Sequence, residues 1–253
     1  MTHSSFIALV LALSALLMAT GSGTLQAQGQ VYVLESTATN VKVGAAFAMT
    51  DRITVPAGAS VRVVMPSGKT QMIKGPYSGV AAELAKGQKT NDGVVAWIKN
   101  LVQTGGSNEK TPGATRSARA PEQPAGFSWT AIPVTADSTI CVQKGAKLQL
   151  RRTPSPNADR ITVVDLATSE RGEAAFAAGS DTAPWPAGVT PKPDGDYALL
   201  APENRPRRQL SLRVLDSLPS EDDILAELAA RECKYQFDAW VKEKMAASKR
   251  KAS

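Results

Sequence analysis

The apolar run from Phe6 to Met18, FIALVLALSALLM, constrains this chain more than any other stretch, because it sets the compartment in which the rest must fold. Its 13 residues match the roughly 7–15 of a secretory signal core and fall short of the ~20 needed to cross a membrane as a helix. Behind it the chain turns small and polar, and Leu25-Gln26-Ala27 offers a cleavage point after Ala27. Met1 to Ser5 carries no Lys or Arg, so the usual basic flank is missing and retention of the run as an anchor is the alternative to cleavage. The expectation is a periplasmic or secreted protein, with residues 1–27 as signal peptide and no transmembrane span after its removal.

An oxidising compartment makes Cys141 and Cys233, the two cysteines of the chain, a disulfide. Both are flanked by apolar residues, so the bond is expected to tie the strand Thr139–Val142 to a C-terminal helix. Two cysteines are too few for a thiolate metal site and too far apart for a redox Cys-x-x-Cys pair. The single histidine, His3, lies inside the apolar leader. The mature chain therefore has no Ser-His-Asp or Cys-His nucleophile and no histidine metal ligand. No catalytic residue, cofactor or metal is expected. The formal net charge of +6 belongs wholly to the mature chain, since residues 1–27 contain no Asp, Glu, Lys or Arg. For an exported protein this favours anionic headgroups or acidic wall polymers as partners over nucleic acid.

From Val31 onward short β-prone runs alternate with turn signals: Val31–Glu35, Val41–Val43, Arg52–Val55, Ser60–Met65 and Thr70–Lys74. A two-residue loop centred on Ser67 and Gly68 would set Val63 opposite Met72 and Val64 opposite Gln71. Two helical stretches follow, and the second (Asp92 to Val102) spaces Val94, Val95, Ile98, Leu101 and Val102 along one face at helical period. Trp97 on that helix reads as a packing residue. Residues 30–103 are thus expected to form a small antiparallel β-domain with trailing helices.

The string from Lys42 to Gly75, with VGAAF and then DRITVPAGASVRVVMPSGKTQMIKG, resembles the FecR-type β-domain of bacterial envelope proteins. The shared theme is a glycine-led strand, a "d-x-I-x-v-p" segment and a strand–turn–strand hairpin. The resemblance implies an exported all-β module for ligand or protein contact, with no catalytic residues. The cytoplasmic helical segment and membrane span of the signalling members are missing, so no sigma-factor regulation is implied.

Thr104 to Gly126 has almost nothing apolar beyond Ala and is rich in Gly, Pro, Ser and charge. Such a stretch buries too little to offset its ordering entropy, so residues 104–126 read as a flexible linker. Strand patterns resume at Phe127 and continue to QLSLRVL (Gln209–Leu215), predicting a β-sandwich-like second domain over 127–247. Pro219-Ser220 ahead of Glu221-Asp222-Asp223 marks a helix start with Ser220 as N-cap. Ile224, Leu225 and Leu228 make one apolar stripe, and Phe237, Trp240 and Val241 make another, rotated around the axis. One long helix is expected, clamped to the second domain, with a break near Cys233 as the alternative. Residues 248–253 form a basic tail. The fold class is accordingly mainly β with helical additions.

Several patterns imitate chemistry. Gly75-Pro-Tyr-Ser-Gly79 sets its serine one place late for a nucleophile elbow. Gly105 to Thr111 ends like a phosphate loop but carries Glu109 where glycine is needed. Ser107 and Lys110 have the spacing of a Ser-Lys dyad in polar chain with no rigid frame. Asp194 and Asp196 read as a β-turn, and Glu221 to Asp223 as helix-start charge. Arg151, Arg152, Arg160, Arg205, Arg207, Arg208 and Arg213 are candidate contacts to an anionic surface. The functional expectation is an exported, non-enzymatic envelope protein that binds or scaffolds an envelope protein or an anionic polymer. The alternatives are an anionic-surface binder acting through the arginine-rich strands and a carboxylate-only hydrolase such as a glycosidase.

Overall fold

A computed structural model of the chain describes residues 29–103, 126–201 and 207–251. The expected signal peptide, the expected linker apart from Gly126, Arg205 and the last residues of the basic tail lie outside the described residues. The architecture is mainly β, with four sheets and a helical layer that ends the chain.

The first body contains β1 (Gln30–Ser36), β2 (Ala46–Ala48), β3 (Arg52–Val55), β4 (Ser60–Val64), β5 (Thr70–Lys74) and β6 (Tyr77–Val80). An antiparallel sheet runs β2-β1-β4-β5, and β3 pairs antiparallel with β6. Strand alternation gives the larger sheet two apolar faces. Val31, Val33, Val61, Val63 and Ile73 pack with Ile53 and Val55 in one core, while Tyr32, Leu34 and Val64 belong to a second core.

The β4–β5 hairpin is one residue out of the expected register: Val63 faces Gln71 and Val64 faces Thr70. The Met65 amide donates to the Lys69 carbonyl, and Gly68, at φ +89°, donates to the Met65 carbonyl. The loop is therefore three residues, Pro66-Ser67-Gly68, with glycine in the left-handed position that such loops require. Gly68 also has no room to grow, since a Cβ there would sit 2.9 Å from the Cα of Ala226. A Gly68→Ala variant is expected to lose about 2 kcal/mol from the left-handed backbone and the overlap together, read as a lowered urea midpoint at unchanged slope.

After α1 (Ala81–Leu84), α2 (Asp92–Gln103) buries Val94, Ile98 and Leu101, the face expected from periodicity. The second body contains β7 (Ala131–Pro133), β8 (Ser138–Gln143), β9 (Gln149–Arg151), β10 (Asp159–Asp165), β11 (Arg171–Phe176), β12 (Thr182–Pro184), β13 (Asp196–Leu200) and β14 (Arg208–Leu215). A five-stranded sheet, β11-β10-β13-β14-β8, packs on a three-stranded one, β12-β9-β7. The β14–β8 and β7–β9 pairs are parallel. Ile140, Val142, Leu210 and Leu212 point between the two sheets and meet Ile132 and Leu150. Cys141 and Leu215 point the other way, toward the helices.

The single C-terminal helix expected from the sequence is two: α3 (Ile224–Ala230) and α4 (Lys234–Lys251). The physical reason lies in the two rotated stripes. Ile224, Leu225 and Leu228 face the same core as Phe237, Trp240 and Val241, which a straight helix would not permit. The break is a left-handed Glu232, with the Cys233 amide donating to the Leu228 carbonyl and the Glu232 amide to that of Ala229. The expected Ser220 N-cap is also displaced. The residue preceding α3 is Asp223, its side chain makes no cap bond to the helix amides, and Ser220 Oγ donates to Asp223 Oδ2 instead.

The helices are not clamped to the second body alone. Tyr32, Leu34 and Val64 from the first sheet, Val94 and Ile98 from α2, Cys141 and Leu215 from the second body, and α3 and α4 share one continuous core. The Cys141–Cys233 disulfide closes it, with Cα atoms 5.8 Å apart.

Candidate functional site

A cleft of about 470 Å³ opens where the helical layer stops covering the outer face of the parallel β8–β14 pair. Leu210 and Leu212 turn inward to the core, so Gln209 and Ser211 turn outward, and register pairing puts Thr139 beside Ser211. These polar side chains form part of the cleft lining. The α3–α4 turn and the first turns of α4 supply Glu232, Lys234, Tyr235 and Asp238, while Asp137 and Ser138 come from the entry to β8.

Several of these groups are already paired. Asp137 Oδ1 accepts the Gln209 amide at 2.7 Å, and Ser211 Oγ lies 2.5 Å from Asp196 Oδ1, to which it donates. Lys234 Nζ donates to Asp238 Oδ2 at 2.6 Å and lies 5.5 Å from the centre of the Trp97 ring. Burial pushes the Tyr235 hydroxyl above its ordinary range, so it stays protonated. In the residues lining the cleft, two buried polar atoms lack a hydrogen-bond partner, Ser138 Oγ and Asp238 Oδ1. Buried polar atoms without partners are rare enough to need an explanation.

The arrangement suits binding better than bond-breaking. With no hydrogen-bond partner, the Ser138 hydroxyl has no base set against it. Lys234 is half exposed and paired with Asp238, so it is not the buried lysine that a Ser-Lys dyad needs. Glu232, exposed at the rim, does not sit in the enclosed, apolar setting that glycoside cleavage asks of one carboxyl. Among the described residues, no three or more His, Cys, Asp or Glu side chains come together to hold a metal ion.

The arginines nominated from sequence have separate fates. Arg152 is buried: it pairs with Asp159 at 3.3 Å, reaches the carbonyls of Asn157, Ala177 and Ser180, and stacks 4.7 Å from the Phe176 ring centre. It staples two loops and is closed to a surface ligand. Arg160 pairs with Glu173, and Arg213 with Asp194. Arg151 is half-buried, with its Nε lacking a hydrogen-bond partner. Arg207 and Arg208 stand at the start of β14, the former exposed. Asp194 and Asp196 hold the turn ahead of β13, bonded to Arg213 and Ser211. Ser78 sits on β6 beside Thr54 and Arg52, and Ser107 and Lys110 lie outside the described residues.

Two important polar residues escaped the sequence reading. Arg62, 8% exposed, contacts Glu35 at 2.8 Å, Glu221 at 3.1 Å and Asp222 at 3.2 Å, pinning the first sheet to the entry of α3. The acidic triplet therefore does more than meet a helix dipole, for Asp223 also pairs with Lys69 and Glu221 with Lys244. Gln236, 1% exposed, accepts the Cys141 amide and donates to the carbonyls of Cys141 and Ser128, standing in for a neighbouring strand along β8. In SVRVV, the position of Arg62 on the same face as Val64 was the available signal for its burial.

No family model matches the chain, and neither does any curated protein or solved structure.

Proposed function

We propose that this is an exported, non-enzymatic envelope protein that acts as a binding module, presenting the β8–β14 cleft to its partner on a disulfide-closed frame. The observation that carries the reading is the cleft lining: polar side chains from two strands and a helix turn, with Asp137, Gln209 and Glu232 exposed, and none arranged as nucleophile and base. The buried disulfide beside the cleft supports folding in an oxidising compartment. The apolar leader and the FecR-type resemblance of residues 42–75 agree with an envelope location. No helix among the described residues is long and apolar enough to cross a membrane.

Site-specific photo-crosslinking tests the reading. A benzophenone amino acid at Thr139, in the cleft, is expected to trap a discrete adduct in the envelope of the native cell, and one at exposed Lys86 is not. Release of product from wall glycans by the purified protein, abolished by Asp137→Asn, would contradict it.

A further inference from the structure

We propose that the outer edge of β8 takes an extended segment of a partner protein as an added strand, paired with the backbone of Thr139. The inference rests on the binding-module reading and names what the cleft binds. β8 is the last strand of the five-stranded sheet, with β14 on one side only. In a parallel pair, successive residues turn their N–H and C=O groups alternately toward the neighbouring strand and away from it. The Lys144 amide donates to the Leu215 carbonyl of β14, so Ser138, Ile140 and Val142, in step with Lys144, turn to the paired side. Thr139, Cys141 and Gln143 direct their backbone groups outward.

Two of these three are engaged within the chain. Gln236 Oε1 accepts the Cys141 amide at 2.7 Å, and Gln236 Nε2 donates to the Cys141 carbonyl at 2.7 Å. The Gln143 carbonyl accepts the Ala146 amide at 3.2 Å. Thr139 is left. Among the described residues, no group bonds to its outward N–H or C=O. Thr139 is half-buried and lines the cleft, which places this gap in the edge at the cleft. An unpaired strand edge is a template for the backbone of another chain.

The chain itself shows what this edge accepts. The Gln236 side chain ends in a carboxamide, chemically a peptide group, and it satisfies both outward groups of Cys141 at once. A backbone amide pair set two residues earlier along β8 would do the same for Thr139. An extended peptide carries such pairs at the strand repeat, which a compact small molecule does not. In this mode the main chain gives affinity, and pockets for alternate side chains give specificity. Pro133, Ala136 and Tyr235 offer apolar contact in the same cleft, and Gln209 and Ser211 offer polar contact.

Panning a phage-displayed library of random linear peptides against the mature full-length chain supplies a probe, and titration of the synthetic peptides reads the contact. The expected result is saturable binding in which N-methylation of every second peptide amide weakens affinity by about tenfold or more, and methylation of the amides between them does not. Thr139→Pro removes the outward N–H and leaves the ladder to β14 in place, so it is expected to lose the same affinity. Thr139→Val keeps the backbone and is expected to bind as wild type. The methylation scan leaves the protein unchanged, so it decides the matter even where the proline variant does not fold.

No selected peptide, or a methylation scan without alternation, would overturn the proposal. So would unchanged affinity in a folded Thr139→Pro variant. Concentration-dependent dimerisation that Thr139→Pro abolishes would put a second copy on the edge and overturn the assignment to a partner. If the Thr139 crosslink in the envelope persists while peptides show no alternation, strand addition falls and the binding-module reading stands.

Discussion

Replacing Cys141 and Cys233 together by alanine is expected to lower stability by about 4 kcal/mol and the melting temperature by about 10 °C. The bond spans a sequence separation of 92 residues, and a closed loop of that length restricts the unfolded chain by ~4.5 kcal/mol in the entropy model. The two small cavities left by the sulfurs add to the loss. Both cysteines are fully buried in the core shared by β8, α3 and α4. Mild reductant should therefore leave the folded protein oxidised, and only reductant added with denaturant should open the bond. Urea titration of the oxidised protein and the double variant measures the difference. Equal midpoints would mean that the bond contributes nothing. Because the core is common to both bodies, the loss should appear in probes of the first sheet as well as the second.

Arg62→Met is expected to cost about 3 kcal/mol. The methionine keeps the packing of the stem under the first sheet but leaves Glu35, Glu221 and Asp222 facing one another without their common cation. A fully buried pair would cost ~3–5 kcal/mol, and the value here sits at the low end because Glu221 is 48% and Asp222 61% exposed. Acid should act on the same contact. The hydrogen bond from Lys244, with Arg62 and Lys244 charge, holds the Glu221 carboxyl below its ordinary range, and bonds from Ser220 and Lys69 do so for Asp223. Carboxyls depressed in the folded state stabilise it above their unfolded values near ~4 and lose that contribution as pH falls through the folded ones. Wild-type stability should thus be level above about pH 5 and decline below it, and Arg62→Met should decline less steeply because part of the contribution has already gone. Urea midpoints across pH 2–7 read both. An identical slope in the two proteins would remove Arg62 from the account.

Much of the β framework was legible from residue patterns because strands with one buried and one wet face repeat every two residues. KLQLR and QLSLRVL declare themselves in this way, and Val94, Ile98 and Leu101 declare a helix face by the same logic. The cysteine pairing was legible from compartment and count. What stayed hidden depends on which faces meet. The rotated stripes around Cys233 fit either a widely buried helix or a broken one, and only the common core shared with Tyr32 and Leu34 selects the break. Arg62 and Gln236 look like solvent-facing residues until the elements that cover them are in place. The cleft joins Asp137 to Glu232 and Asp238 across about a hundred residues, with no local motif to announce it. The hairpin register turned on a single residue, Pro66, whose inclusion in the loop moves every cross-strand pair by one.

The two β-bodies and the helices are expected to unfold as one cooperative unit, because they close around a shared core that also holds the cleft in place. Scanning calorimetry of the mature protein tests it most directly, with hydrogen exchange followed in β4 and in β8. The expected result is a single transition whose calorimetric and van't Hoff enthalpies agree, with slow amides of both strands exchanging at one common free energy. Two separable transitions, with β4 keeping its protection after β8 has lost it, would instead mean two independent domains.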